Sequence, residues 1–383
     1  MLRFCAIVAG ITLVICLSHA LSYQQAKEPC PRVKEQGTTK PRSQGFPMEI
    51  EDMAGRKVFL RKEPNRIICL APGSLRLIVY LQREDRVVGV EDLEKQNPGG
   101  RPYWLAKPEL AKLPRCGPGG PASINKKPDL EAVLSLAPDL VFVTYMDGSL
   151  ADEVQKTLDI PVVVLSYGTF ATFDERVYQA LRLTGRILSR QARAQEVIDF
   201  IERQRKDLAQ RSPRGARCYI GGLGFRGAHG IESSEKEYTP FDWVRAENVV
   251  KGEESSSRGS HVFIGKERLL QLDPDYIFID GGGLALVEQD YREHRAYYES
   301  LSAFARDKVF VLFPYNWYTT NIGTALIDAY GIGKILHPKD FEDITIEEKA
   351  DEIYSFLLGA PVHEDMVRDY GRLGRKLAPP SPR

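Results

Sequence analysis

A literal G-x-G-x-x-G stands at Gly222, Gly224 and Gly227, inside RCYIGGLGFRGAHG and directly after a short apolar run that reads as a strand. Glycines in that spacing let a backbone approach a pyrophosphate at the N-terminus of a following helix, which would be dinucleotide chemistry. The helix must then begin at once. Here the chain stays polar through AHGIESSEKEY, and a helical pattern starts only at Pro240, about a dozen residues late. The glycines are therefore read as a loop over a cleft, with an exported oxidoreductase using Gly222–Gly227 as the alternative.

Other catalytic patterns are missing. The chain has no G-x-S-x-G, H-E-x-x-H, P-loop or C-x-x-C. Its six histidines are scattered, none at i+2 or i+4 to another. His229, near Glu232 and Glu235, is the one candidate for direct binding of a divalent ion. Recognition chemistry is better represented. Loops after apolar runs carry Arg101, Tyr103 and Trp104, then Tyr145, Tyr167, Arg226 and His229, and finally Tyr315, Trp317 and Tyr318 within PYNWYTTN. Rings supply apolar area and guanidinium forks pair with anionic oxygens, so this set suits a bulky or flat ligand carrying negative charge. The glycines of GPGGPASINKKPD allow another close backbone approach.

The elements that would position these loops alternate. RIICLAP is a strand-like run suited to burial on both faces, SLRLIVYLQ a short helix, and RVVGV, LVFVT and IPVVVLS further strands. MEIEDMAGRKVFL reads as a hairpin turning at Ala54–Gly55. Such alternation predicts parallel sheets covered by helices. EAVLSLAPDLVFVT (Glu131–Thr144) aligns without a gap on ERLLQLDPDYIFID (Glu267–Asp280), pairing Leu134, Leu136, Pro138, Asp139 and Phe142 with Leu270, Leu272, Pro274, Asp275 and Phe278. RIICLAPG and RCYIGGLG rhyme as well. The chain thus holds two related lobes. Between them Ala194, Val197, Ile198, Ile201 and Leu208 repeat at helical spacing after Ser189, a candidate N-cap, which predicts a stiff strut about 30 Å long.

Bulk numbers agree with two ordinary lobes: 383 residues, 43% hydrophobic, 27% charged, net charge zero. Balanced charge gives no reason to expect nucleic acid. Residues 1–20 carry Arg3, an apolar run and Ser18-His19-Ala20, which predicts a removable signal peptide. Cys16 follows Val14 and Ile15, so a lipid anchor is not expected. Residues 21–47 read as a disordered tether and 371–383 as a loose tail; between them lie an N-terminal lobe (48–173), a backbone-helix region (174–212) and a C-terminal lobe (213–370). Cys69 and Cys218 fall in core strands and are expected as buried thiols.

The order PNRIICLAPG…YLQREDRVVGV, DLEAVLSLAPDLVFV, LTGRILSRQARAQEVIDFIERQ, LLQLDPDYIFID, DKVFVLFP resembles the periplasmic substrate-binding proteins of importers for ferric siderophores, haem and cobalamin. The resemblance covers about Arg56 to Leu358. It implies two Rossmann-like α/β lobes on a long rigid backbone helix, a periplasmic monomer without catalytic activity or cofactor, and delivery to an ABC permease with its ATPase. It also implies an iron(III) chelate as cargo, with haem, a corrinoid, a free metal ion or an oxyanion as alternatives. Arg76 departs from the family, which commonly has an acidic residue there; the permease-docking residues stay unassigned, and a sensory or adhesive role stays open.

Overall fold

A computed structural model describes residues 45–378, except 97–98, 170–171, 214, 225–226 and 256–258. The expected signal peptide and most of the tether lie outside the described residues, as does Arg226. Phe46, two residues before the expected boundary of the N-terminal lobe, already packs against the core. The first elements are an antiparallel hairpin of β1 (Met48–Glu51) and β2 (Lys57–Leu60), whose inward residues alternate with exposed ones; Gly55 takes φ 75° in the turn.

Strands β3 (Ile67–Leu70), β4 (Val87–Gly89), β5 (Leu140–Thr144) and β6 (Val162–Leu165) form a parallel sheet in the order β4-β3-β5-β6. β3, β5 and β6 are buried at every position, as their uninterrupted apolar runs require. The second sheet contains β7 (Arg217–Gly221), β9 (Glu247–Asn248), β11 (Tyr276–Asp280) and β12 (Val309–Leu312), again all parallel, in the order β9-β7-β11-β12. A small antiparallel pair, β8 (Ser233–Glu235) with β10 (His261–Phe263), stands beside it. Counted within each lobe, both parallel sheets run second, first, third, fourth strand. The internal repeat is therefore a repeat of topology.

Its mechanism is visible in atoms. The helices Leu130–Ser135 and Lys266–Leu272 run out into a residue of left-handed backbone, Ala137 at φ 45° and Asp273 at φ 35°. The arginine that opens the neighbouring strand region then covers the bare helix carbonyls. Arg66 donates to Leu136 O at 2.6 Å and Ala137 O at 3.0 Å; Arg217 donates to Leu272 O at 2.6 Å and Asp273 O at 3.1 Å. A cation at a helix C-terminus also suits the helix dipole. Asp139 N and Asp275 N return bonds to the carbonyls of the same two arginines.

Helices α1 (Ser74–Tyr80), α2 (Arg176–Ile187), α3 (Gln191–Arg211), α4 (Ile322–Leu336) and α5 (Ile346–Leu358) complete the frame. α3 has 21 residues and buries the anticipated row, with Phe200 and Gln204 added. Arg193 on its first turns donates to Tyr80 O of the N-terminal lobe at 3.0 Å. Near its end, Tyr330 of the C-terminal lobe donates to Gln204 Oε1 and Asp207 Oδ2 at 2.7 and 2.8 Å. Ser189 is not the N-cap: at φ 54° it turns the chain between α2 and α3, and Arg190 takes the cap position. Residues 371–378 are not loose. Gly374 and Leu377 donate to Val311 O and Val309 O, so this segment runs along the free edge of β12 and Leu377 is buried. Cys69, Cys116 and Cys218 are free buried thiols.

One glycine of the motif, Gly222, finds its reason here. Gly222 has φ 79°, and a Cβ on Gly283 would lie 2.2 Å from Gly222 O and 2.4 Å from His229 O. Two strand-end loops cross backbone to backbone. Gly283→Ala is expected to destabilise the fold by about 1–3 kcal/mol, because the obstructing atoms are main chain. Gly224→Ala, whose Cβ would meet only Gly227 O at 3.4 Å, should be close to neutral in the same urea unfolding series. Equal losses from the two substitutions would contradict this reading of the loop.

Candidate functional site

The carboxyl ends of both parallel sheets face the junction of the lobes, where open α/β sheets place their ligands. A segment of the C-terminal lobe, Tyr315–Asn321, crosses that junction as a strap. It closes on itself through Asn321, whose backbone and side-chain nitrogens donate to Tyr315 O at 2.8 and 3.0 Å. Tyr318 and Thr319 hold φ of 54° and 64°, a strained region for residues with side chains. Arg76 supplies the compensation. From the middle of α1, where every residue is buried, its guanidinium donates to Thr320 O at 2.8 Å, Trp317 O at 3.0 Å and Tyr318 O at 3.1 Å. Tyr103 and Tyr167 stack on the same cation, with ring centroids at 4.9 and 5.9 Å. Thr320 Oγ1 donates to Thr172 O, and Tyr145 Oη lies 3.3 Å from Thr319 Oγ1.

The recognition residues expected from sequence divide sharply. Arg101 is fully buried; it pairs with Glu94 at 2.7 Å and donates to Leu93 O and Gln96 O. Tyr103 donates to the same Glu94 carboxylate at 2.7 and 2.9 Å, and Trp104 is buried beside them. Tyr167 donates to Gly73 O, and Tyr315, wholly buried, reaches Glu235 at 3.3 Å. These side chains are engaged with the chain itself, because each charge or phenol taken out of water needs a partner. His229 is half-buried with its ring edge-on to Phe263 at 5.1 Å. Trp317 alone of the three tryptophans is well exposed, at 40%. Among the described residues no three His, Cys, Asp or Glu side chains converge as a metal site.

Two cavities stand out among the described residues. The gap between Tyr80, Tyr103, Asn321 and Thr324 measures about 10 Å³, room for one water. A second cavity of about 230 Å³ opens at the ends of β3, β4 and β5. Its wall includes Leu70, Glu91, Cys116, Val143 and Met146, its floor the Gly117–Gly119 loop, and its rim Lys126 and Lys127. The sequence pointed to this glycine loop but not to Glu91 or the lysines. An acid immediately after a buried strand was the available signal.

Buried acids surround the junction. Burial pushes Glu91 up to about 7, against the pull of a hydrogen bond from Tyr318. Burial likewise raises Asp280 to about 7 and Glu235 to about 8, and holds Asp328 well above the carboxylate range.

A family model described as "Periplasmic binding protein" matches residues 67–315, and the chain belongs to that family. Its members are substrate-binding transport proteins that work outside the cytoplasm, and the two-lobed fold found here is theirs. Among individual relatives, the molybdate-binding protein MolA of Haemophilus influenzae is 24% identical over 335 residues, covering 80% of this chain and 89% of that protein. Its molybdate-bound structure superposes with a TM-score of 0.63 at 21% identity, covering 82% of this chain and 98% of that one. The TroA-like periplasmic binding protein FepB of Veillonella parvula gives 0.61 at 20% identity, over 82% and 97% of the two chains. An uncharacterized ABC transporter substrate-binding lipoprotein of Bacillus subtilis, YvrC, is 24% identical over 184 residues, 48% of this chain; the match spans only about half of that protein, 52%.

The buried acids fix a pH dependence. Glu235 has an ordinary value of 4.5 and a folded value of about 8, so the unfolded chain releases this proton first. The stability carried by the neutral acid is complete below 4.5 and is lost as pH rises through about 8; Asp280 and Glu91 act in the same direction. The urea midpoint should therefore fall between about pH 5 and about pH 8.5, and Glu235→Gln should flatten that fall. A midpoint that rises over this interval would overturn the assignment.

Proposed function

We propose that this chain is the solute-capturing component of an ABC import system and that its cargo is a compact oxyanion of molybdate size. In this reading residues 1–20 direct export to the periplasm, and the loaded monomer delivers to a membrane permease driven by its ATPase. The single observation that carries the choice of cargo is the cavity of about 230 Å³ beside an interlobe junction crossed by the strap. Pockets for drug-sized ligands run to roughly 300–1,000 Å³. A small tetrahedral anion with a few waters suits the smaller volume. Two rim lysines and a glycine loop with positive φ at Gly117 and Gly119 suit its charge, since backbone N–H groups in such loops form anion-binding concavities. The likeness to a molybdate-binding protein supports the same class.

An iron(III) chelate is the second reading, favoured by exposed Trp317 and the tyrosine-rich strap. It requires the strap to leave the junction. Calorimetric titration separates the two. Molybdate is expected to bind one per chain, with Lys126→Ala weakening it about tenfold, the scale of one hydrogen bond to a charged group. A ferric trihydroxamate is expected to give no heat of binding. Binding of the trihydroxamate without molybdate binding would replace the first reading by the second.

A further inference from the structure

One side chain belongs both to the cavity and to the strap. Glu91 lines the cavity, its Oε1 accepts from Ala71 N at 3.1 Å, and its Oε2 accepts from Tyr318 Oη at 2.6 Å. Tyr318 Oη also accepts from Gly120 N at 3.1 Å, in the glycine loop that floors the same cavity. The contact joins residues 227 positions apart and is the point where the strap reaches the cavity wall. Arg76 anchors the strap backbone behind it.

We propose that the strap is an interlobe latch and that Glu91 is shared between latch and cargo, so that an anion in the cavity and the Tyr318 contact oppose each other. The proposal rests on the oxyanion reading above. An ionised carboxylate only accepts hydrogen bonds and repels an anion, whereas a protonated one can donate to it. Burial and the neighbouring Glu94 and Asp92 disfavour charge on Glu91, while the Tyr318 hydroxyl and the Ala71 N–H favour it. Asp92 and Glu94 on its own segment and the Cys69 and Cys116 thiols add no positive charge, and Tyr318 is a neutral donor. Lys126 and Lys127 sit exposed at the rim, Lys127 paired with Glu153 at 2.8 Å, and Asp129 is paired with Arg115. An anion seated between those lysines and Glu91 therefore keeps the carboxyl protonated and turns it into a donor. Tyr318 is then left with a neutral acceptor in place of a charged one, a weaker bond. By reciprocity, loosening the latch must tighten the anion.

Tyr318→Phe tests this, because it removes one hydroxyl and leaves the ring packed. Without anion, amide exchange over residues 316–320 is expected to quicken about fivefold, with a shift in the emission of Trp317. With molybdate as the probe, the variant is expected to bind about fivefold more tightly than the parent. Arg76→Lys, which loses the guanidinium fork, should quicken exchange in the same segment. Unchanged exchange in both variants overturns the latch. Quickened exchange with unchanged or weaker molybdate affinity overturns the sharing of Glu91. Failure of parent and variant alike to bind molybdate, with exchange quickened, overturns the oxyanion reading and the coupling while leaving the latch standing.

Discussion

A guanidinium keeps its charge in a folded protein, so Arg76 is a cation wherever the chain places it, and the chain places it entirely out of water. Such a group is tolerable only when its charge finds acceptors, which both terminal nitrogens of Arg76 do although Nε does not. Here the acceptors are three carbonyls of a strap that lies more than 240 positions later in the sequence. Those carbonyls can converge only if the strap turns tightly, which is what the left-handed backbone at Tyr318 and Thr319 achieves. Cation and turn hold each other. A lysine could not do the same, since one ammonium on a flexible stem cannot address the same fork of acceptors.

Much of the junction follows from that pairing. With the strap fixed, the phenols and rings around it pack inward and meet partners of the chain itself, and the gap beside Tyr80 and Asn321 has room for one water. A larger cavity opens at the N-terminal strand ends, with Glu91 in its wall and the Gly117–Gly119 loop as its floor. α3 has a different task. Tied to Tyr80 at one end and to Tyr330 at the other, it sets the distance over which the strap must reach.

The fold was legible because it is built from local devices used twice. Arg66 and Arg217, Pro138 and Pro274, Asp139 and Asp275 occupy matching places in short contiguous segments, and each pair does the same work in its own lobe. The row from Ala194 to Leu208 announced α3 by spacing alone. The glycine motif misled only in isolation: its late helix argued against a cofactor, and Gly283 shows the close crossing that the glycines allow. The tail misled more, because its prolines and charges say nothing of an open strand edge waiting beside it.

Sequence alone therefore determined the two sister lobes, their parallel sheets and the spar, since all of these arise from periodicities and turns within a few dozen residues. The site was another matter. That Arg101 and Tyr103 face Glu94, that Arg76 reaches Trp317 to Thr320, and that Tyr318 meets Glu91 are pairings between distant segments. A polar side chain in a loop looks the same in sequence whether it waits for a ligand or satisfies a buried neighbour. Only the tertiary structure decides which, because the cost of burying a charge or a phenol is settled by whatever the fold brings to within hydrogen-bonding distance of it.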